Sequence, residues 1–207
     1  MASAASADTK EQLLNVAEQL IAERGYAGTT VRAIATQAKA NLAAVNYHFG
    51  SKEELFRAIF SRIARPIVVD QLAMLEKLQQ KESPPSVEEI LTAFLKPCFQ
   101  KIVQDESFRT VRAQFMGRCW SEPEPLQNIA SGEFMESRLA FLEILQQVIP
   151  DCSRRELNWK LDLVIATLIR VQNEAGKPGS LLKSSQPEDV DYAVQYLVRF
   201  LTPGMSV

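Results

Sequence analysis

Residues 29–56, TTVRAIATQAKANLAAVNYHFGSKEELF, decide the fold of this 207-residue chain, because several helix boundaries are packed into them. Thr30 stands at an N-cap position, and Val31, Ile34, Ala35 and Ala38 follow at the three-and-four spacing of one buried helix face. Lys39-Ala40 makes the turn, and Asn41 is placed to cap a second helix. In that helix Leu42, Val45 and Phe49 are predicted to point inward, leaving Ala43, Ala44, Asn46, Tyr47 and His48 outside. A helix wholly inside a core would not expose that set. Gly50 supplies a left-handed stop, and Ser51-Lys52-Glu53-Glu54 reads as a capping box in which Ser51 and Glu54 satisfy each other's backbone donors.

A short helix presented in this way fits the major groove of B-DNA, where base pairs are told apart by the donors and acceptors on their edges. The amide of Asn46 both donates and accepts, which matches N6 and N7 of adenine. Ala43 and Ala44 allow close approach and contact with a thymine methyl, while Tyr47 and His48 can reach phosphates or base edges. Lys52 opens the next helix, where the macrodipole disfavours a cation. A phosphate held by Lys52 and the free N–H groups of that helix start would remove the conflict.

The longer stretch AERGYAGTTVRAIATQAKANLAAVNYHFGSKEELF, residues 22–56, resembles the DNA-binding head of the tetracycline-repressor (TetR) family of bacterial regulators. Upstream, Thr9-Lys10-Glu11-Gln12 resembles the start of that family's first helix, with Leu13, Ala17, Leu20 and Ile21 as its apolar face. The resemblance implies that Lys52 contacts the DNA backbone and that Thr30 and Arg32 sit at the other edge of the groove. The candidate DNA-binding set also takes in Asn41 and Leu42, at the start of the second helix. The chain departs from the family at Lys39, where glycine is usual; either the turn keeps an ordinary backbone or Lys39 is mildly strained. The segment NLAAVNYHFGSK resembles in particular a branch of fatty-acid-responsive regulators, which implies a small apolar or amphipathic effector such as a fatty acid or acyl thioester.

Composition is consistent with a folded protein, at 46% hydrophobic and 23% charged residues. A net charge of −2 gives no bulk attraction to nucleic acid. Residues 1–65 carry eight cations against six acids, so placement must substitute for raw charge. No apolar run reaches the length of a membrane span, and MASAASADTK has no signal-peptide pattern, so a cytoplasmic protein with no membrane partner is expected. Cys98, Cys119 and Cys152 are too widely spaced for a zinc cluster and read as buried thiols, with a redox role as the lesser alternative. The only histidine is His48, and no phosphate-binding loop or metal-ligand cluster is present, so neither an enzyme nor a cofactor is expected.

Beyond the head, three-and-four apolar spacing persists with no sustained alternation, which predicts an all-α chain. We expect a three-helix helix-turn-helix head over residues 1–60 and a larger helical effector-binding and dimerisation body over 61–207. A long helix runs from Ser51 toward Leu78, bent or broken by Pro66, and another over 87–104 is interrupted by Pro97. Further helices are expected over 106–120, 126–148 and 153–175, and a last one from Pro187. Phe94, Arg112, Phe115, Met116 and Trp120 are the candidate lining of a ligand pocket. The last two helices carry more apolar surface than one partner can cover, which points to a homodimer through Leu161, Ile165, Leu168, Val194, Leu197 and Leu201. The pattern as a whole fits a repressor released by ligand from a palindromic duplex. The alternative is a helical ligand carrier or partner-binding protein whose head no longer binds DNA.

Overall fold

A computed structural model describes residues 2–103, 109–119, 124, 126–175, 177–184 and 186–206, and ten helices with no strand make up the architecture of the described residues. The first four are α1 (Ala2–Arg24), α2 (Val31–Gln37), α3 (Leu42–Phe49) and α4 (Lys52–Gln79). Their ends follow the capping chemistry of the sequence. Thr30 Oγ1 accepts from the N–H of Ala33 at 3.1 Å, Asn41 Oδ1 from that of Ala43 at 2.9 Å, and Ser51 Oγ from that of Glu54 at 3.1 Å. The capping box is half formed: the N–H of Ser51 donates to the Phe49 carbonyl, and the Glu54 carboxylate turns to Arg57.

Gly50 ends α3 at φ +73°, while the turn before α3 places Lys39 at φ +51°. Of the two conformations open to Lys39, the structure takes the strained one, since a Cβ is disfavoured in the left-handed region. Inward packing of α3 rests on Val45 and Phe49. Leu42 is 40% exposed, contrary to its expected place in the core; it is the first residue of α3.

The remaining helices are α5 (Val87–Val103), α6 (Arg109–Cys119), α7 (Leu126–Glu133), α8 (Met135–Val148), α9 (Arg154–Glu174) and α10 (Pro187–Ser206). Both α4 and α5 continue through their internal prolines, Pro66 and Pro97. Proline removes one ladder bond, and the buried neighbours Ile63, Ala64, Ile67 and Val68 hold α4 helical on either side of it. The single helix expected over 126–148 is instead two, separated at Phe134 with ψ 2°. Tertiary packing accounts for the break: the Phe134 ring meets Phe60 of α4 edge-on, with centroids 6.0 Å apart.

α6 lies between the first helices and the rest of the body. Phe115 joins Phe56 and Phe60 in one ring cluster, at 5.7 and 6.4 Å between centroids. On the other side α6 packs closely on α9, where a Cβ at Gly117 would stand 2.2 Å from Asn173 Oδ1. The three cysteines are buried, and burial pushes the Cys98 thiol up to about 12, so it stays protonated at neutral pH.

Relief of the strained turn should be measurable. Lys39→Gly is expected to stabilise the protein by about 0.5–1 kcal/mol and Lys39→Val to destabilise it by about 1 kcal/mol or more, read as opposite shifts of the thermal midpoint.

Candidate nucleic-acid interface and ligand cavity

The caps of α2 and α3 fix which side chains remain available to a ligand outside the chain. Thr30 and Asn41 are exposed, although each uses its side-chain oxygen on a backbone N–H. Arg32, Leu42, Ala43 and Asn46 are exposed, and Tyr47 is 83% exposed, a large ring held out in water. Ala44 and His48 are half-buried. The Tyr47 and His48 rings meet edge-on at 5.2 Å, so His48 braces the tyrosine from within the same helix. The ten residues singled out in the sequence thus fall into an exposed set on α2 and α3 and a supporting set beneath it.

Lys52 has a different environment from the one expected. Its Nζ donates to the Tyr26 carbonyl at 2.5 Å and lies 3.9 Å from the centre of the Tyr26 ring. A carbonyl and a ring face therefore offset the unfavourable position of this cation at the start of α4, with no phosphate required. Burial first, and the Glu53 carboxylate second, hold the Tyr26 phenol above its ordinary value, so the ring stays neutral beneath the ammonium. The contact fixes the α1–α2 connection to α4, and Tyr26 in turn packs edge-on against Phe56 at 5.5 Å.

A buried carboxylate links these helices to the body. Glu18 of α1 has no exposed side-chain surface; Arg62 of α4 reaches one oxygen at 2.6 Å and Arg112 of α6 the other at 3.2 Å. Arg62 also holds Glu11 and Asn15, each at 2.9 Å. Arg118, one face further along α6, donates to the Glu23 carbonyl at 3.4 Å. Arg112 therefore does not line a cavity as expected, because α6 lies against α1 and its guanidinium finds Glu18 there. Phe115 is likewise consumed by the Phe56 and Phe60 cluster.

A cavity of about 440 Å³ does open on the far side of α6, between α4, α5, α7, α8 and α9. Phe94 and Met116 line it, together with Ile67, Phe134, Ile165 and Leu168. Trp120, the remaining expected lining residue, lies outside the described residues. Sequence reading missed the polar part of the wall: Gln71, Ser137, Gln172, and the Arg138–Asp162 pair at 2.8 Å. A signal for two of them was present, since Gln71 and Gln172 interrupt apolar stripes at buried positions.

The expected dimer residues are mostly internal. Leu161, Leu168, Val194 and Leu197 are buried within the single chain and Ile165 lines the cavity, because α9 and α10 turn these stripes toward α6, α8 and α5. Leu201 is half-buried, and with Leu197 it borders a groove of about 680 Å³ between α9 and α10. The outward apolar residues are Trp159 and Leu163 on α9 and Tyr192, Tyr196 and Phe200 on α10, each 55–69% exposed.

Comparison with known proteins identifies the architecture. Residues 13–59 match the model of bacterial regulatory proteins of the tetR family, and residues 92–204, more than half of the chain, match the tetracyclin repressor-like C-terminal domain. The nicotine-responsive transcriptional repressor HdnoR of Paenarthrobacter nicotinovorans is 36% identical over 61 residues, covering 30% of this chain and 31% of that protein. The alignment thus spans about a third of that relative's length. The fatty acid degradation regulator FadR of Bacillus halodurans superposes with a TM-score of 0.68 at 18% identity, over 95% of each chain. FadR of Bacillus subtilis, solved in complex with stearoyl-CoA, gives 0.59 at 18% identity, over 94% of this chain and 98% of that one. These two structures show the fold. The chain belongs to the tetracycline-repressor family of bacterial regulators.

Proposed function

We propose that this regulator is a cytoplasmic, ligand-released repressor that acts as a homodimer on a palindromic operator, with residues 1–60 as the reading head and 61–207 as the sensing and pairing body. The observation that carries the reading is the position of α6: Met116 lines the cavity, while Arg112, four residues away, grips Glu18 of α1. A small apolar or amphipathic effector that displaces Met116 moves the helix that anchors the head.

In the DNA-bound form the two α3 helices stand one turn of duplex apart, about 34–36 Å, or a multiple of it. Asn46 reads a base edge, Tyr47 and Arg32 approach the flanking backbone, and Lys52 adds charge from beneath. Effector favours a second spacing, and the difference in affinity between the two states supplies a coupling of about 1–3 kcal/mol. A ligand carrier with a disused head has no need to hold Tyr47 83% exposed.

Pairing uses the outward stripes. Trp159 and Leu163 recur four residues apart on α9, as do Tyr192, Tyr196 and Phe200 on α10, and the groove between the two helices accepts side chains of a second copy. The buried stripe that includes Leu161 and Val194 supports this surface from below.

Selection of bound duplexes from a random pool tests the whole reading: an enriched palindrome is expected, and no enrichment overturns it. With that duplex in hand, Asn46→Ala should relax discrimination at one base pair per half-site by about 1–3 kcal/mol. Lys52→Ala should weaken all sequences alike and lower the salt slope by about one. Leu163→Glu combined with Phe200→Glu should give a folded monomer by sedimentation, with operator affinity lost. Arg112→Ala should destabilise the protein by about 1.5–3 kcal/mol in chemical denaturation and shrink the effect of ligand on operator affinity.

A further inference from the structure

Among the described residues, the buried polar side-chain atoms around the cavity are engaged with one exception, and that exception defines what would bind there. Gln71 donates to the Phe94 carbonyl at 2.7 Å and accepts from Ser137 Oγ at 2.6 Å. Ser131 donates to the Gln127 carbonyl at 2.8 Å. Arg138, the cation among the described lining residues, is held by Asp162 at 2.8 Å and by Asn158 Oδ1 at 3.1 Å. Two buried side-chain polar atoms lack a partner among the described residues: Arg62 Nε, which stands in the Glu18 cluster, and Gln172 Oε1. Gln172 is 2% exposed and lines the cavity.

An unpaired buried acceptor calls for a donor, and Arg138, already facing the Asp162 carboxylate, attracts a second anion less than an unpaired cation would. We propose that the cavity takes a neutral amphipathic molecule with a hydroxyl on an apolar frame. Its O–H meets Gln172 Oε1 and its frame lies against Phe94, Met116, Phe134, Ile165 and Leu168. This rests on the cavity being the effector site, and it departs from the fatty acid or acyl thioester implied by the sequence resemblance. A carboxylate would have to share Arg138 with Asp162 and so lie close to a like charge. The volume, about 440 Å³, is within the usual range for a small-molecule site.

The test is calorimetric titration of the full-length protein without DNA, using 1-decanol, its methyl ether, and decanoate at about pH 7.5, where the acid is ionised. The alcohol is expected to bind about tenfold tighter than the ether, or about 1.4 kcal/mol. Decanoate is expected to bind weakest. Gln172→Leu should erase the difference between alcohol and ether, and Met116→Trp should weaken all the probes by filling the cavity. Equal affinity of alcohol and ether, tightest binding by decanoate, a difference that survives Gln172→Leu, or no binding of any probe would each overturn the proposal. If Gln172→Leu fails to fold, the comparison on the unaltered protein decides. Release of operator is measured separately: Gln172-dependent binding without release would overturn ligand-controlled repression and leave the ligand class standing.

Discussion

The structure depends on one charge removed from water. Glu18 lies in the C-terminal half of α1 with no exposed side-chain surface, and an isolated carboxylate there would be untenable. Arg62 and Arg112 compensate it from two directions, one from the helix that continues out of the head and one from the helix that walls the cavity. Loss of a partner from such a cluster is far more damaging than its net contribution to stability, because the remaining ion stays buried. The result is that α1, α4 and α6 cannot move independently without a cost in electrostatic energy.

The reading face is built by the same logic at lower stakes. Helices α2 and α3 are too short to be stable alone, and the caps at Thr30 and Asn41, with burial of Ile34, Val45 and Phe49, hold them. Lys39 occupies a left-handed turn that a glycine would adopt more easily, so the geometry between these helices is imposed by their packing and not by the turn residue. Below them, the contact of Lys52 with the Tyr26 carbonyl and ring clamps the loop before α2 to the start of α4. The exposed face of α2 and α3 is thereby mounted on fixed supports.

The body divides its apolar surface three ways. Phe115 faces the head-side cluster, Met116 the cavity, and Gly117 allows α6 to approach α9. Three consecutive residues thus meet three different environments, which is what a helix surrounded by neighbours requires. On the outside, Leu163, Tyr196 and Phe200 remain in solvent while their neighbours Leu161, Val194 and Leu197 are internal. Two residues along a helix lie about 200° apart around its axis, so Leu161 and Leu163, like Val194 and Tyr196, face opposite ways.

Local chemistry was enough to write the head from its sequence. Caps, glycine stop and apolar spacing depend on residues within four positions of one another, so Thr30, Asn41, Gly50 and Ser51 stand where their side chains and backbone preferences put them. The all-helical character of the body followed from the same periodicity. Long-range pairing was not accessible in this way: periodicity says that α9 and α10 have wide apolar faces, but not which stripe meets α6 or α5 and which meets solvent. For the same reason Arg112 read as a ligand contact until Glu18, 94 residues away, proved to be its partner. Phe134, too, breaks a helix whose local sequence is compatible with continuation, because Phe60 lies beside it. Sequence alone determined most helix ends and the exposed Asn46 and Tyr47 of α3, since these are set by neighbours along the chain. Only the tertiary structure decided the buried ion cluster, the cavity and the outward face, since each is made by groups that folding brings together from distant positions.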